Sequence, residues 1–368
     1  MGEERLMTTI IKSPGKYIQG KGELNNISRH IKSLGSKIFL LASKNTYGRV
    51  GKIIEESMKD IEDSKVVFSP FGGECTFNEI NKAVEECKKS GCNIVLAAGG
   101  GKTIDTAKAV ADNLNIPIVI VPTIASNDAP CSGIAVIYNE EGIIVKALFT
   151  KKNPDLVLVD SEIITNAPVR MLVAGMGDAL ATYFEARAVK QSGSKTMARG
   201  QVTNIAYAMG KLCYEILLRD GLQAKKDNAD KLVSEALENV LEANIYLSGV
   251  GFESGGLAAA HAINDGFAHL PETHGIYHGE KVAFGTIVQL VLEDAPELNE
   301  VIGFCADLGL PVTLEQLGIT NKSEENIKKV AEAACVKTQS TKNMPFPVDV
   351  DMVLKAIFKA DELGMARI

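Results

Sequence analysis

The sequence predicts an α/β N-terminal domain, built on a parallel, Rossmann-like sheet with one β-hairpin, followed by an all-α C-terminal domain. Three observations predict it. Short apolar runs alternate with helical stretches as far as Asp160. A Gly-Gly-Gly turn joins one of those runs to a helix. Beyond Asn166 strand signals vanish and long helical patterns take over.

The runs are KIFLLAS (37–43), KVVFSPF (65–71), NIVLAAG (93–99), IPIVIVPT (116–123) and LVLVD (156–160). Continuous apolar runs separated by helices mark strands buried on both faces of a parallel sheet. The stretches between are ELNNISRHIKSLG, RVGKIIEESMKDI, TFNEINKAVEECKKSG and KTIDTAKAVADNLN. The third opens on Thr76 and Glu79, at capping-box spacing, and closes on Lys88, Lys89 and Gly91, suited to a helix C-terminus. GIAVIYNEEGIIVKALF breaks the alternation, and its Asn139–Gly142 centre reads as a hairpin turn. Turn residues at Thr165–Pro168 precede the first long helix. The expected domains are therefore 1–165, binding a dinucleotide, and 166–368, helical and metal-binding, with the active site in the cleft between them.

Composition narrows the function. The chain has 368 residues, 46% of them hydrophobic and 23% charged, enough for a substantial core. A net charge of −7 argues against a nucleic-acid or anionic-membrane binder. MGEERLMTTIIKSPG lacks the apolar run of a signal peptide, and no stretch offers a membrane span. Seven scattered cysteines without CxxC suit a reducing, cytoplasmic setting.

The loop GGGKTIDT (99–106) fails both familiar phosphate fingerprints. Walker A needs a glycine at position 96, which is Leu96, and no GxGxxG follows the first strand. The physics survives: glycines admit a ligand to the backbone, and the following helix aims its amides at an anion such as a pyrophosphate. The same loop also reads as a tight strand-to-helix turn with no ligand. A second polar loop, Pro122–Ser132, leaves the same kind of strand end, where open α/β sheets bind ligands. Its hydroxyls suit a cofactor and Asp128 suits a polyol; the alternative is a capped turn.

Histidine is concentrated. His261, His269, His274 and His278 leave only His30 elsewhere. Asp178 sits in the apolar helical segment GMGDALATYFEAR, where a buried carboxylate needs a partner or a cation, unless it faces solvent. His261 lies among small residues in GGLAAAHAINDGF; taken alone it reads as a hydrogen-bonded core residue. His278 stands at a helix entrance, where Gly279 lets another segment come near. His269 and His274 fall in the connecting loop. One carboxylate and two imidazoles with an open position is a ligand set for catalytic zinc, and iron also accepts it.

In order along the chain, SPGKYIQGKG, GGGKTIDTAKAVAD, VPTIASNDAPCS with VIY, KKNPDLVLVD, GDALATYFEAR, LSGVGFESGGLAAAHAI and HGEKVAFGT resemble the glycerol dehydrogenases. That family lies within the iron-containing and zinc-dependent alcohol dehydrogenases, whose fold dehydroquinate synthase shares. The resemblance implies metal ligands at Asp178, His261 and His278. It implies a pyrophosphate loop of Gly100, Gly101, Lys102, Thr103 and Asp105. It implies nicotinamide contacts from Thr123, Ser126, Ser132, Ile134 and Tyr138, with Asp128 beside the substrate. Iron-dependent relatives carry a histidine at the position of Thr182, so its absence favours zinc over iron. Two departures stand out: Asn264 replaces a second histidine, and Ser43-Lys44 replaces an acidic residue at the end of the first strand. Ser43 would meet the adenosine ribose without repelling a 2′-phosphate, so NADP is expected to be used beside NAD, which the resemblance to NAD-linked enzymes makes the main cofactor.

The expected reaction is reversible oxidation of glycerol to dihydroxyacetone by a homo-oligomer, an octamer by resemblance. The alternatives are a dehydrogenase of another vicinal diol or small hydroxyketone, and a dehydroquinate-synthase-like lyase. The lyase would need a denser basic set for a phosphorylated substrate than the sequence offers near the ligands.

Overall fold

A computed structural model describes residues 8–367. The stretch Met1–Met7, part of the segment read above for a signal peptide, lies outside them. In chain order the strands are β1 (Tyr17–Gly20), β2 (Lys37–Ala42), β3 (Lys65–Pro70), β4 (Ile94–Gly99), β5 (Ile118–Pro122), β6 (Ile134–Tyr138), β7 (Ile144–Phe149) and β8 (Leu156–Asp160). The helices of this half are α1 (Ile27–Ile31), α2 (Lys44–Met58), α3 (Phe77–Ser90), α4 (Gly101–Leu114) and α5 (Ser161–Thr165). Then follow α6 (Val169–Ser192), α7 (Asn204–Ala229), α8 (Glu235–Glu242), α9 (Ser248–Gly255), α10 (Ala259–Phe267), α11 (His278–Leu292), α12 (Leu298–Leu308), α13 (Glu324–Ala334) and α14 (Val350–Met365).

Two compact units result. One comprises Lys12–Val169 with the returning segment Asp227–Tyr246; the other comprises residues 8–11, 170–226 and 247–367. The first holds a six-stranded sheet in the order β1-β8-β5-β4-β2-β3, every pair parallel. Ile38, Leu40, Ile94, Leu96, Val119 and Val121 pack on one face against Leu24, Ile27 and Ile54. Burial of these side chains stabilises the unit by roughly 1.5–3 kcal/mol each. Register aligns the strand ends. Ala42 pairs with Ala98 and Gly99 with Pro122, so the turns after β2, β4 and β5 leave one edge of the sheet. The hairpin is a separate two-stranded sheet of β6 and β7.

The sheet, hairpin and helical half follow the sequence pattern; several details do not. β1 was not expected: four residues between glycines carry too little pattern, yet they pair with β8. Helix α2 starts at Lys44 because Ser43 caps it, its hydroxyl accepting from the Thr46 amide at 3.1 Å. The capping box of α3 is half made. Thr76 accepts from the Glu79 amide at 3.2 Å, but Glu79 turns back to accept from Gly72 N at 2.7 Å. The stretch TMARGQVT (196–203), within the helical patterns read beyond Asn166, is not helical. Arg199 takes a φ of 68°, and Gln201 N donates to Thr8 O at 2.9 Å. ADKLVSEALENVLEANIYLSG divides into α8, a π-helical turn at Ala243–Leu247, and α9. From that turn Asn244 Nδ2 reaches Ala125 O at 3.2 Å, holding the loop after β5. Among the described residues no helix is long and apolar enough to cross a membrane.

Candidate functional site

Helices α6, α10 and α11 bring Asp178, His261 and His278 together. One ligand atom from each lies within 4.8 Å of the others. Among the described residues this is the one group of three or more such side chains with that spacing. Asp178 is 1% exposed, His261 13% and His278 47%. His261 Nε2 stands 3.5 Å and His278 Nε2 3.3 Å from the same oxygen, Asp178 Oδ1. The solvent-facing reading of Asp178 is thereby excluded. His269 and His274 are exposed and outside the group.

Two glycines set the closeness. A Cβ on Gly279 would stand 1.8 Å from Ala174 O, and one on Gly177 would stand 2.4 Å from Gly279 O. Gly177 precedes Asp178 and Gly279 follows His278, so the helices cross backbone to backbone beside the ligands. Next to it, Arg170 Nε and Nη2 donate to the two Glu280 oxygens at 2.6 and 2.8 Å. Glu280 also accepts from Tyr277 N at 2.8 Å, which fixes the first turn of α11 and so the backbone of His278.

The sequence reading missed Glu185. It lies two turns after Asp178 on α6 and is 0% exposed. Its Oε2 meets His261 Nδ1 at 2.6 Å, while Oε1 accepts from Ala258 N at 2.8 Å and His261 N at 3.0 Å. With Nδ1–H donated to Glu185, the Nε2 lone pair faces Asp178 and is available to a cation. Burial pushes the His261 pKa down, but Glu185 and Asp178 outweigh it and hold it well above its ordinary value. Burial likewise pushes Asp178 up, and His278 and His261 outweigh it, holding the carboxyl below the usual carboxylate range. Asp178 is thus ionised at neutral pH. A carboxylate with two imidazoles, one locked in its tautomer by a buried carboxylate, fits a divalent cation. One turn after Asp178, buried Thr182 bonds Ser248 Oγ at 2.9 Å. A Cβ on Gly251 would stand 2.6 Å from Thr182 Cγ2, so α9 packs closely against Thr182.

In the α/β unit, Gly100 is the N-cap of α4, with Gly101, Lys102 and Thr103 in its first turn. A Cβ on Gly100 would stand 2.7 Å from Ile124 Cδ1, and one on Gly101 2.7 Å from Asn127 Nδ2, so the two polar loops touch. Lys102 pairs with Glu74 and lies 5.2 Å from the Tyr138 ring centroid. Asp105 is placed differently from an open loop residue. It is buried; Oδ1 lies 3.3 Å from Lys108 Nζ and Oδ2 accepts from Val136 N at 3.0 Å. Burial raises its pKa against the pull of Lys108. Thr123, Ser132 and Ile134 are buried, while Ser126, Asp128 and Tyr138 are half-buried on the loop and hairpin.

The chain is similar to known proteins along nearly its whole length. The sequence profile of the iron-containing alcohol dehydrogenases matches residues 14–161. A glycerol dehydrogenase of Escherichia coli O6:H1 is 47% identical over 360 residues, 97% of this chain and 98% of that one. A glycolaldehyde reductase of Halobacterium salinarum is 43% identical over 362 residues, 97% of this chain and 98% of that one. The crystal structure of glycerol dehydrogenase from Schizosaccharomyces pombe superposes with a TM-score of 0.94 at 36% identity, covering 98% of this chain and 92% of that one. With this identity running along nearly its whole length, the chain belongs to the iron-containing alcohol dehydrogenase family.

Proposed function

We propose that the chain oxidises glycerol reversibly to dihydroxyacetone, using NAD and a zinc ion held by Asp178, His261 and His278. The observation that carries this reading is the buried carboxylate–imidazole group backed by Glu185. Sequence identity to the E. coli glycerol dehydrogenase supplies the substrate. Thr182, whose hydroxyl is engaged with Ser248, offers no imidazole as a fourth ligand, which supports zinc over iron. When bound, the cation supplies Lewis acidity toward the hydroxyl and the dinucleotide supplies the hydride acceptor.

The remaining work belongs to the chain. Glu185 holds the His261 tautomer, and Asp178 supplies a fixed negative charge. Gly100, Gly101, Lys102 and Thr103 receive the pyrophosphate at the start of α4. Asp105 stands behind them, and Thr123, Ser126, Ser132, Ile134 and Tyr138 line the nicotinamide half. Ser43 stands by the adenosine ribose. Asp128 accepts hydrogen bonds from the polyol hydroxyls and so favours a polyol over a plain alcohol. Seven free thiols fit a cytoplasmic enzyme; the assembly we propose, by family resemblance, is a homo-octamer.

The test is reduced-nicotinamide absorbance with glycerol, across a panel of vicinal diols and hydroxyaldehydes. Asp128→Asn should cut kcat/KM for glycerol by the worth of a charge-assisted hydrogen bond, roughly 1.5–3 kcal/mol, with NAD affinity nearly intact. Equal loss of NAD affinity would move Asp128 into the cofactor site. A second reading is favoured by the 43% identical glycolaldehyde reductase: reduction of a small hydroxyaldehyde. A kcat/KM for glycolaldehyde far above that for dihydroxyacetone would select it.

A further inference from the structure

Among the described residues of the α/β unit Lys108 is the one buried lysine or arginine, and three of its four acceptors lie in one segment. Its side chain is 2% exposed, inside α4. Its Nζ donates to Ala129 O at 2.6 Å and Ile134 O at 2.7 Å. The third proton is shared between Ser132 Oγ and Asp105 Oδ1, both at 3.3 Å. An ammonium buried this far survives only if every proton has an acceptor, and here each has one. The partner carboxylate completes the arrangement, since Asp105 Oδ2 accepts from Val136 N at 3.0 Å. Nearby, Asn153 Nδ2 donates to Cys131 O at 3.0 Å. The segment from Ala129 to Val136 is thus stitched to α4 mainly through one ion pair three residues apart on that helix.

That segment begins one residue after Asp128 and contains Ser132 and Ile134. It has little regular structure of its own: one 3₁₀ turn at Ala129–Cys131 and the first residues of β6. Left to its backbone, such a loop would sample several conformations. Catalysis is sensitive to this, because a misplacement of about 1 Å costs on the order of a hundredfold in rate.

We propose that Lys108 is a positioning residue, fixing the Asp128–Ile134 segment against α4 so that Asp128 and Ser132 keep the geometry that substrate and nicotinamide require. The proposal rests on the functional reading above for what Asp128 and Ser132 face. The clamp itself is a property of the fold, and so is its first readout.

Lys108→Met alone strands a buried carboxylate and endangers folding. The informative comparison is Asp105→Asn against Asp105→Asn with Lys108→Met, both charges being removed in the second. Relative to the first, the second should keep its circular dichroism and gain backbone amide exchange confined to 129–136. It should lose roughly a hundredfold in kcat for the polyol, with far less change in NAD affinity, which the glycine loop carries. A role in bulk stability alone would lower the melting temperature and leave kcat and local exchange unmoved, and that result overturns the proposal. If the double variant does not fold, the unaltered protein decides. The amides of Ser132 to Val136 should then exchange as slowly as those of α4, and fast exchange there with α4 protected overturns it. If the parent oxidises no polyol, the functional reading fails while amide exchange still decides the clamp.

Discussion

His261 Nδ1 and Glu185 Oε2 lie 2.6 Å apart, with the carboxylate fully buried and shared with the backbone amides of Ala258 and His261. This one relationship fixes three properties of the site: the tautomer of His261, the angle of its ring and the charge behind it. Glu185→Gln should therefore weaken zinc binding by about 10–100-fold without unfolding the protein, since an amide of equal size still accepts from the two backbone groups. Metal titration of the purified variant checks this. Unchanged affinity would show that Glu185 only supports the α10 backbone.

The ligand assignment has its own contrast. Asp178→Asn, His261→Ala and His278→Ala should each lose zinc and turnover, while His269→Ala and His274→Ala keep both, because those rings lie in solvent. Elemental analysis decides. Full occupancy in His278→Ala with loss in His274→Ala would overturn the assignment.

A proton should leave when the metal enters. In the metal-free protein the two carboxylates hold His261 protonated above its ordinary pKa, despite burial. Its contribution to metal-free stability is complete below about pH 6.5 and is lost as pH rises through the raised folded value. Asp178 behaves oppositely: its contribution is complete above about pH 4 and is lost only as pH falls through its depressed value. A cation and a proton compete for His261 Nε2. Zinc uptake at neutral pH should release close to one proton, and apparent affinity should fall about tenfold per pH unit on acidification. Calorimetry in buffers of different ionisation enthalpy measures the count; a count of zero would contradict the competition.

Helix crossing supplies a steric test. Gly279→Ala puts a methyl group 1.8 Å from Ala174 O and 3.0 Å from Asp178 N. The helices must part, at a cost of about 1–3 kcal/mol or more, and the ligands part with them. Gly275→Ala, in the loop before α11 with nothing within 4 Å of its Cβ, is the control. A variant at 279 that melts and binds zinc like its control would show that α6 and α11 have slack.

Much of this was legible in the sequence, for physical reasons. Buried parallel strands announce themselves as apolar runs, and only β1, four residues long, was too short to do so. Gly279 beside His278 left room for a second segment to come near, and Gly177 is that segment's matching residue. Glu185 was hidden because a glutamate on a helix ordinarily points to water; the signal was its place seven residues after Asp178, which puts both on one face. Lys108 was hidden in the same way. Asp105 stands three residues away, but nothing local marks that the lysine's other acceptors lie more than twenty residues on. The turn at Thr196–Gln201 reads as helix by composition and is stopped by tertiary bonding to Thr8.

The last prediction concerns cofactor choice at Ser43. Its hydroxyl caps α2, accepting from Thr46 N at 3.1 Å and donating to Thr46 Oγ1 at 3.0 Å, and the turn leaves the C-terminal end of β2. Aspartate caps a helix as well as serine does, so Ser43→Asp should fold with unchanged stability. With the cofactor placed as proposed, it would also put a carboxylate beside the adenosine ribose, repelling a 2′-phosphate. The ratio of kcat/KM with NADP to that with NAD should then fall tenfold or more, which needs only about 1.4 kcal/mol of repulsion. Ser43→Ala separates the two roles: it should cost about 0.5–2 kcal/mol of stability through the lost cap while moving the ratio little. Steady-state kinetics with both dinucleotides, beside thermal unfolding of both variants, tests this. An unchanged ratio in a stable Ser43→Asp protein would mean that Ser43 is a helix cap and nothing more, and that the ribose is read elsewhere along the sheet edge.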